Sequence, residues 1–131
     1  MAYQIYIVED HPIMRQAYEL LLRRAADVEL LGSAESAEEA WSHFADCPCD
    51  LLVTDVSLPG ASGIDLLRRV RAHRPNLPVI VVSIQEAFRP AAMEAGAQAF
   101  LTKDELARTL LPTVREVLAA GGSAPLQLLS A

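Results

Sequence analysis

Leu51-Leu52-Val53-Thr54-Asp55, continued by Val56-Ser57-Leu58-Pro59-Gly60, reads as a short buried strand that stops on a carboxylate and turns into a loop. Its apolar part has no polar alternate, as expected of a parallel strand covered by helices on both faces. Two further runs share the pattern: Ile5-Tyr6-Ile7-Val8 ahead of Glu9-Asp10, and Val79-Ile80-Val81-Val82 ahead of Ser83. Val28-Glu29-Leu30-Leu31 and Ala99-Phe100-Leu101 are weaker members of the set. Longer periodic segments separate these runs, and the alternation predicts five βα units in one doubly wound α/β sheet.

The first helix is expected from residue 12 to about residue 25, with Pro12 in its first turn and Ile13, Ala17, Leu20 and Leu21 as its apolar stripe. Arg15, Glu19 and Arg23 recur at every fourth position elsewhere on it. Ser36 with Glu39 forms a capping-box signature for a second helix to about residue 45. A third is expected over residues 63–73, stopped by Arg74-Pro75, and a short fourth over residues 90–95, ended by Gly96. Asp104 is the expected cap of a last helix reaching residue 120, with Pro112 inside it.

The chain has 131 residues, 52% of them apolar, which suits one domain with a substantial core. No apolar run approaches the ~18 residues of a membrane span and no basic leader opens the chain, so a cytoplasmic location is expected. A formal charge of −6 disfavours direct nucleic-acid binding by this segment. Cys47 and Cys49 lack zinc-site spacing and read as two reduced thiols. Trp41 with Phe44 reads as packing, and His43 and His73 as solvated side chains.

A parallel sheet gathers its strand ends on one edge, where such folds bind their ligands. Here that edge would carry Glu9 and Asp10, Asp55, Ser83 and Lys103. Three clustered carboxylates repel one another by a few kcal/mol per pair at typical effective dielectric, and magnesium is the natural counter-ion for an open, all-oxygen site. The same ion supports phosphoryl transfer by bridging carboxylate and phosphoryl oxygens, which makes Asp55 the candidate nucleophile, Lys103 a phosphate contact and Ser83 a hydroxyl donor.

Glu9-Asp10, Asp55-Val56-Ser57-Leu58-Pro59-Gly60 with Gly63, Ser83, and Ala99-Phe100-Leu101-Thr102-Lys103 together resemble the receiver domain of two-component response regulators, the CheY-like family, over roughly residues 4–122. The resemblance implies a flavodoxin-like five-stranded parallel sheet in the order 2-1-3-4-5 with five helices in three layers. It implies Asp10, Asp55 and the Ser57 backbone carbonyl as direct Mg2+ ligands, Glu9 as a ligand through water, and Asp55 as phosphoacceptor. By the same resemblance Ser83 is the switch hydroxyl, Lys103 the phosphate-contacting lysine and Phe100 the aromatic switch, turning inward on activation.

Glu9-Asp10-His11-Pro12 with Arg15 further resembles the NarL/FixJ subfamily. That resemblance implies a sensor histidine kinase as partner, a homodimer on phosphorylation, and a helix-turn-helix DNA-binding domain following the receiver. Residues 1–122 are then the receiver domain, and residues 123–131, opening Ser123-Ala124-Pro125 and containing Leu126, Leu128 and Leu129, the start of a linker or a flexible tail. The stretch from Ser83 to Gly96 is about two residues shorter than the family's, and Arg89-Pro90 stands where its fourth helix would begin.

Three rival readings remain. A magnesium-dependent phosphatase of the haloacid dehalogenase type would carry a second Asp where Ser57 stands, so turnover of an external substrate is not expected. A flavin protein would need a phosphate cradle where Glu9-Asp10 stand. The third is a phosphorylation-independent pseudo-receiver that only binds other proteins.

Overall fold

The computed structural model describes residues 2–44 and 48–121. Within them lie the strands β1 (Tyr3–Val8), β2 (Val28–Ala34), β3 (Leu51–Asp55), β4 (Val79–Ser83) and β5 (Ala99–Thr102). All pair in parallel, in the order β2-β1-β3-β4-β5, as the receiver resemblance implied. The helices are α1 (Pro12–Leu22), α2 (Ala37–Phe44), α3 (Gly63–His73), α4 (Arg89–Glu94) and α5 (Leu106–Ala119), with single 3-10 turns at Glu86–Phe88 and Lys103–Glu105. The predicted end of α2 near residue 45, Cys47, and the proposed linker at residues 123–131 lie outside the described residues.

Strand alternation splits the core into two layers. Ile5, Ile7, Leu51, Val53, Ile80, Val82 and Leu101 pack against α1 and α5 through Tyr18, Leu21, Leu22, Leu106, Leu110 and Val114. Tyr6, Val8, Leu52, Val79, Val81 and Phe100 pack on the opposite face against α2, α3 and α4. Because β2 and β3 flank β1 on opposite sides, the chain reverses its winding at β1, and the adjoining strand ends frame a crevice.

Helix α3 has the predicted bounds, with a reciprocal cap in which the Asp65 N–H donates to Ser62 Oγ at 3.1 Å and the Ser62 N–H to Asp65 Oδ2 at 3.2 Å. At α2 the Glu39 N–H donates to Ser36 Oγ as expected, but the Glu39 carboxylate reaches back to the Glu35 N–H rather than to that of Ser36. Gly96 has φ +107°, which explains why a glycine ends α4.

Four expectations need correcting. The buried face of α1 is Tyr18, Leu21 and Leu22, whereas Ile13 and Leu20 are 76% and 61% exposed. Strand β2 is longer than the apolar run because its Leu31 forms a bulge opposite Ile5 and Tyr6, and Gly32 then fits under the Tyr6 ring. Asp104 does not cap α5: it lies inside the 3-10 turn that follows Lys103, and the helix starts at Leu106 with Pro112 still interior. The Arg108 carbonyl, four residues before Pro112, thereby loses its helical donor. Finally, His43 is not merely solvated, since its Nδ1 lies 2.9 Å from the Tyr6 hydroxyl, and His73 meets the Trp41 ring edge-on. Trp41 and Phe44 stack at 5.7 Å, as packing residues do.

Candidate functional site

The alternation that builds the core also builds the site. Glu9 continues Ile5 and Ile7, Asp55 continues Leu51 and Val53, and Lys103 continues Ala99 and Leu101, so all three project on the α1/α5 side of the sheet. Lys103 Nζ lies 3.0 Å from both Glu9 Oε1 and Asp55 Oδ2. Carboxylate oxygens of Glu9, Asp10 and Asp55 all lie within 4.8 Å of one another. Glu9 is 0% exposed and Asp55 4%.

Three carboxylates and one ammonium leave two net negative charges in this crevice. At ~4 Å and an effective dielectric of about 20, each like-charge pair costs about 4 kcal/mol. The consequence shows in the proton affinities. Burial, opposed by Lys103 and reinforced by Asp55, raises Glu9 from its ordinary value; burial likewise raises Asp55, with Lys103 opposing and Asp10 adding to it. Burial also works against the Lys103 ammonium, but its hydrogen bonds to Glu9 and Asp55 outweigh that and its pKa rises. An all-oxygen donor set with two uncompensated charges fits a hard divalent cation.

Neighbouring residues hold these groups in place. Arg15 donates to the Glu9 carbonyl at 2.8 Å and pairs with Glu35 at 3.4 Å, bracing the loop that carries Asp10. The His11 N–H donates to Glu9 Oε2 at 3.2 Å. After β3, the Val56 N–H bonds the Val82 carbonyl and the Gly63 N–H bonds the Val56 carbonyl, each at 2.9 Å, so the loop bearing exposed Ser57 closes back on the start of α3. Glu38 accepts from the Ala61 N–H at 3.1 Å and sits against Gly60, whose φ is +77°. Arg15 and Glu38 were not singled out as site residues by the sequence, because their contacts with the site loops are to the Glu9 carbonyl and the Ala61 N–H, main-chain groups that leave no pattern in it.

Ser83 and Phe100 project to the other face. Ser83 is buried and its hydroxyl accepts from the Gln85 N–H at 3.0 Å, which leaves its proton available. Phe100 is already buried, beneath an Arg89 guanidinium 4.9 Å from its ring centroid that also pairs with Glu86. Phe100 thus sits within the core beneath Arg89.

The family model described as "Response regulator receiver domain" matches residues 5–115. Among curated proteins, the chain is 27% identical over 128 residues to Fimbriae Z protein of Salmonella typhimurium, covering 96% of this chain and 61% of that protein. It is 25% identical over 118 residues to response regulator GacA of Pseudomonas aeruginosa, covering 88% and 55%. The chain thus spans little more than half the length of these relatives. Among solved structures, it is similar to a two-component response regulator of the LuxR family from Aurantimonas sp. SI85-9A1, with 30% identity, a TM-score of 0.86, and coverage of 92% of this chain and 87% of that one.

Proposed function

The chain belongs to the response regulator receiver domain family of two-component signalling, and from that membership we propose that it is a phosphorylation-dependent switch in which Asp55 accepts a phosphoryl group. The observation that carries this reading is the pair of 3.0 Å contacts from Lys103 to Glu9 and Asp55, inside a carboxylate cluster that retains two uncompensated charges. In the proposed site Asp10, Asp55, the Ser57 carbonyl and Glu9 would hold Mg2+. Bound there, the ion would supply charge neutralisation for phosphoryl transfer.

An Asp55 carboxylate oxygen attacks phosphorus and the bond to the donor's leaving group breaks. The donor is a sensor histidine kinase or a small phosphodonor such as acetyl phosphate. Lys103 then shifts toward the phosphoryl oxygens, and Ser83 donates its proton to one of them while still accepting from Gln85. Two such charge-assisted contacts contribute roughly 3–6 kcal/mol, against about 5.5 kcal/mol needed to carry a two-state population from 1:99 to 99:1. Since Phe100 is already buried, the proposed movement passes through Ser83 and the loop to Arg89 rather than through a ring flip.

The output we propose is altered homodimerisation or altered contact with a following helix-turn-helix domain beyond residues 1–122, in a cytoplasmic regulator of transcription. Exposed Ile13 and Leu20, seven residues apart on one face of α1, favour that helix as part of the dimer face. Among the described residues no helix is long and apolar enough to cross a membrane. A phosphorylation-independent interaction module is the second reading, and the short α4, only Arg89–Glu94, favours it. One experiment separates the two: acetyl phosphate with Mg2+ should add one phosphoryl mass and shift the sedimentation coefficient, and Asp55→Asn should abolish both. A mass increase that persists at the same site in Asp55→Asn contradicts the assignment, and a phosphorylated protein with unchanged assembly supports the second reading.

A further inference from the structure

We infer that Tyr18 is a positioning residue of this site, its hydroxyl hydrogen-bonding the Glu9 carboxylate once Lys103 leaves Glu9 for a phosphoryl group on Asp55. The inference rests on the receiver reading above and adds a residue to it. Tyr18 is 1% exposed, and its hydroxyl is buried with no hydrogen-bond partner among the described residues. A buried hydroxyl without a partner is disfavoured, and a phenylalanine would fill the same space without that penalty. Packing accounts for the ring and leaves the oxygen unexplained.

The place of the ring supplies the explanation. Tyr18 belongs to the α1/α5 layer with Ile7, Val53, Val82 and Leu101. Glu9, Asp55 and Lys103 continue the strands on that same face. Burial first, and then the charges of Glu9 and Asp55, push the phenol well above its ordinary range. It therefore remains protonated and able to donate.

At rest Glu9 Oε2 accepts from the His11 N–H at 3.2 Å, while Oε1 is ion-paired with Lys103 at 3.0 Å but, like the Tyr18 hydroxyl, has no hydrogen-bond partner among the described residues. Transfer of the Lys103 ammonium to a phosphoryl oxygen removes that ion pair while the carboxylate stays fully buried. A buried carboxylate demands a replacement, and Tyr18 is a buried donor left unused among the described residues. The hydroxyl would thus be unpaired in the resting form and paired in the activated one.

That asymmetry gives Tyr18→Phe opposite effects in the two states. With EDTA, the variant should melt at or above the wild-type temperature, because an unpaired polar group has been removed. With Mg2+ and beryllium fluoride, the phosphoryl mimic should bind about tenfold or more weakly than to wild type, the loss expected of one hydrogen bond to a charged group. A merely structural tyrosine would shift both states in the same direction, and that result, or a mimic affinity within twofold of wild type, overturns the inference. Wild-type protein that binds no beryllium fluoride with Mg2+ overturns the receiver reading itself, and this inference with it. If Tyr18→Phe does not fold, NMR of wild type decides: the Tyr18 hydroxyl proton should move downfield on adding the mimic, and an unmoved signal contradicts the proposal.

Discussion

Gly63 is the first residue of α3, and a methyl group there would lie 1.8 Å from the carbonyl oxygen of Asp55, 2.8 Å from its carbonyl carbon and 2.9 Å from Thr54 Oγ1. Ordinary van der Waals contact begins near 3.4 Å, so Gly63→Ala requires α3 and the Asp55 backbone to separate by more than ~1.5 Å in a close-packed interior. Helix propensity points the other way, since alanine is favoured over glycine by about 0.5–1 kcal/mol. The steric effect dominates because α3 cannot retreat without opening Ile64, Leu66, Leu67 and Val70, all buried. Overpacking of this kind costs up to about 3 kcal/mol, and the net of about 2 kcal/mol corresponds to a fall in Tm of roughly 6–10 °C for a chain of this length. The displaced backbone carries the phosphoacceptor, so uptake from acetyl phosphate should slow by about 100-fold. Differential scanning calorimetry and a timed mass assay test both halves. A Tm at or above wild type with an unchanged rate refutes the reasoning.

Lys103→Met leaves buried Glu9 and Asp55 without their shared counter-charge, so Tm measured in EDTA should fall by an amount corresponding to about 3 kcal/mol, and added Mg2+ should restore most of it; equal losses with and without Mg2+ would argue against an ion in the cluster. Asp55→Asn should stabilise the metal-free protein at neutral pH, because the folded-state pKa of Asp55 is raised above its ordinary 3.8. The folded protein holds a proton that the unfolded chain releases, so the wild-type penalty is fully present above the raised value and fades as the pH falls through it. Thermal melts from pH 7 to pH 4 should show the gain of Asp55→Asn shrinking with acid, and a gain that grows would reverse the sign of the argument. Arg89→Ala removes the guanidinium from the Phe100 ring at a stability cost below about 1 kcal/mol, yet should broaden the Phe100 ring resonances in NMR spectra; an unchanged ring would mean that Arg89 does not restrain it.

The meeting of Glu9, Asp10, Asp55 and Lys103 was legible in the sequence, because each stands within two residues of the end of an apolar run and parallel pairing gathers those ends, whereas the strand order came from the receiver resemblance. Helix α1 was harder for a physical reason. Met14, Tyr18, Leu21, Leu22 and Ala25 have the same helical spacing as Ile13, Ala17, Leu20 and Leu21, and only the packing of the Tyr18 ring against the sheet chooses between the two stripes. The start of α5 depends on Lys103 being held in the crevice, a contact across 48 positions that no local cap signal encodes. Tyr18 escaped notice as a site residue because a tyrosine in an apolar helical pattern reads as core until its hydroxyl is shown to lack a partner.

The most direct test of the central claim is chemical mapping of the acceptor. Protein treated with acetyl phosphate and Mg2+, then reduced with borohydride, converts an aspartyl phosphate to homoserine at the modified position. Peptide mass mapping should place homoserine at position 55 and nowhere else, and only when Mg2+ is present. Homoserine at position 10, or its absence from wild-type protein under these conditions, would contradict the account.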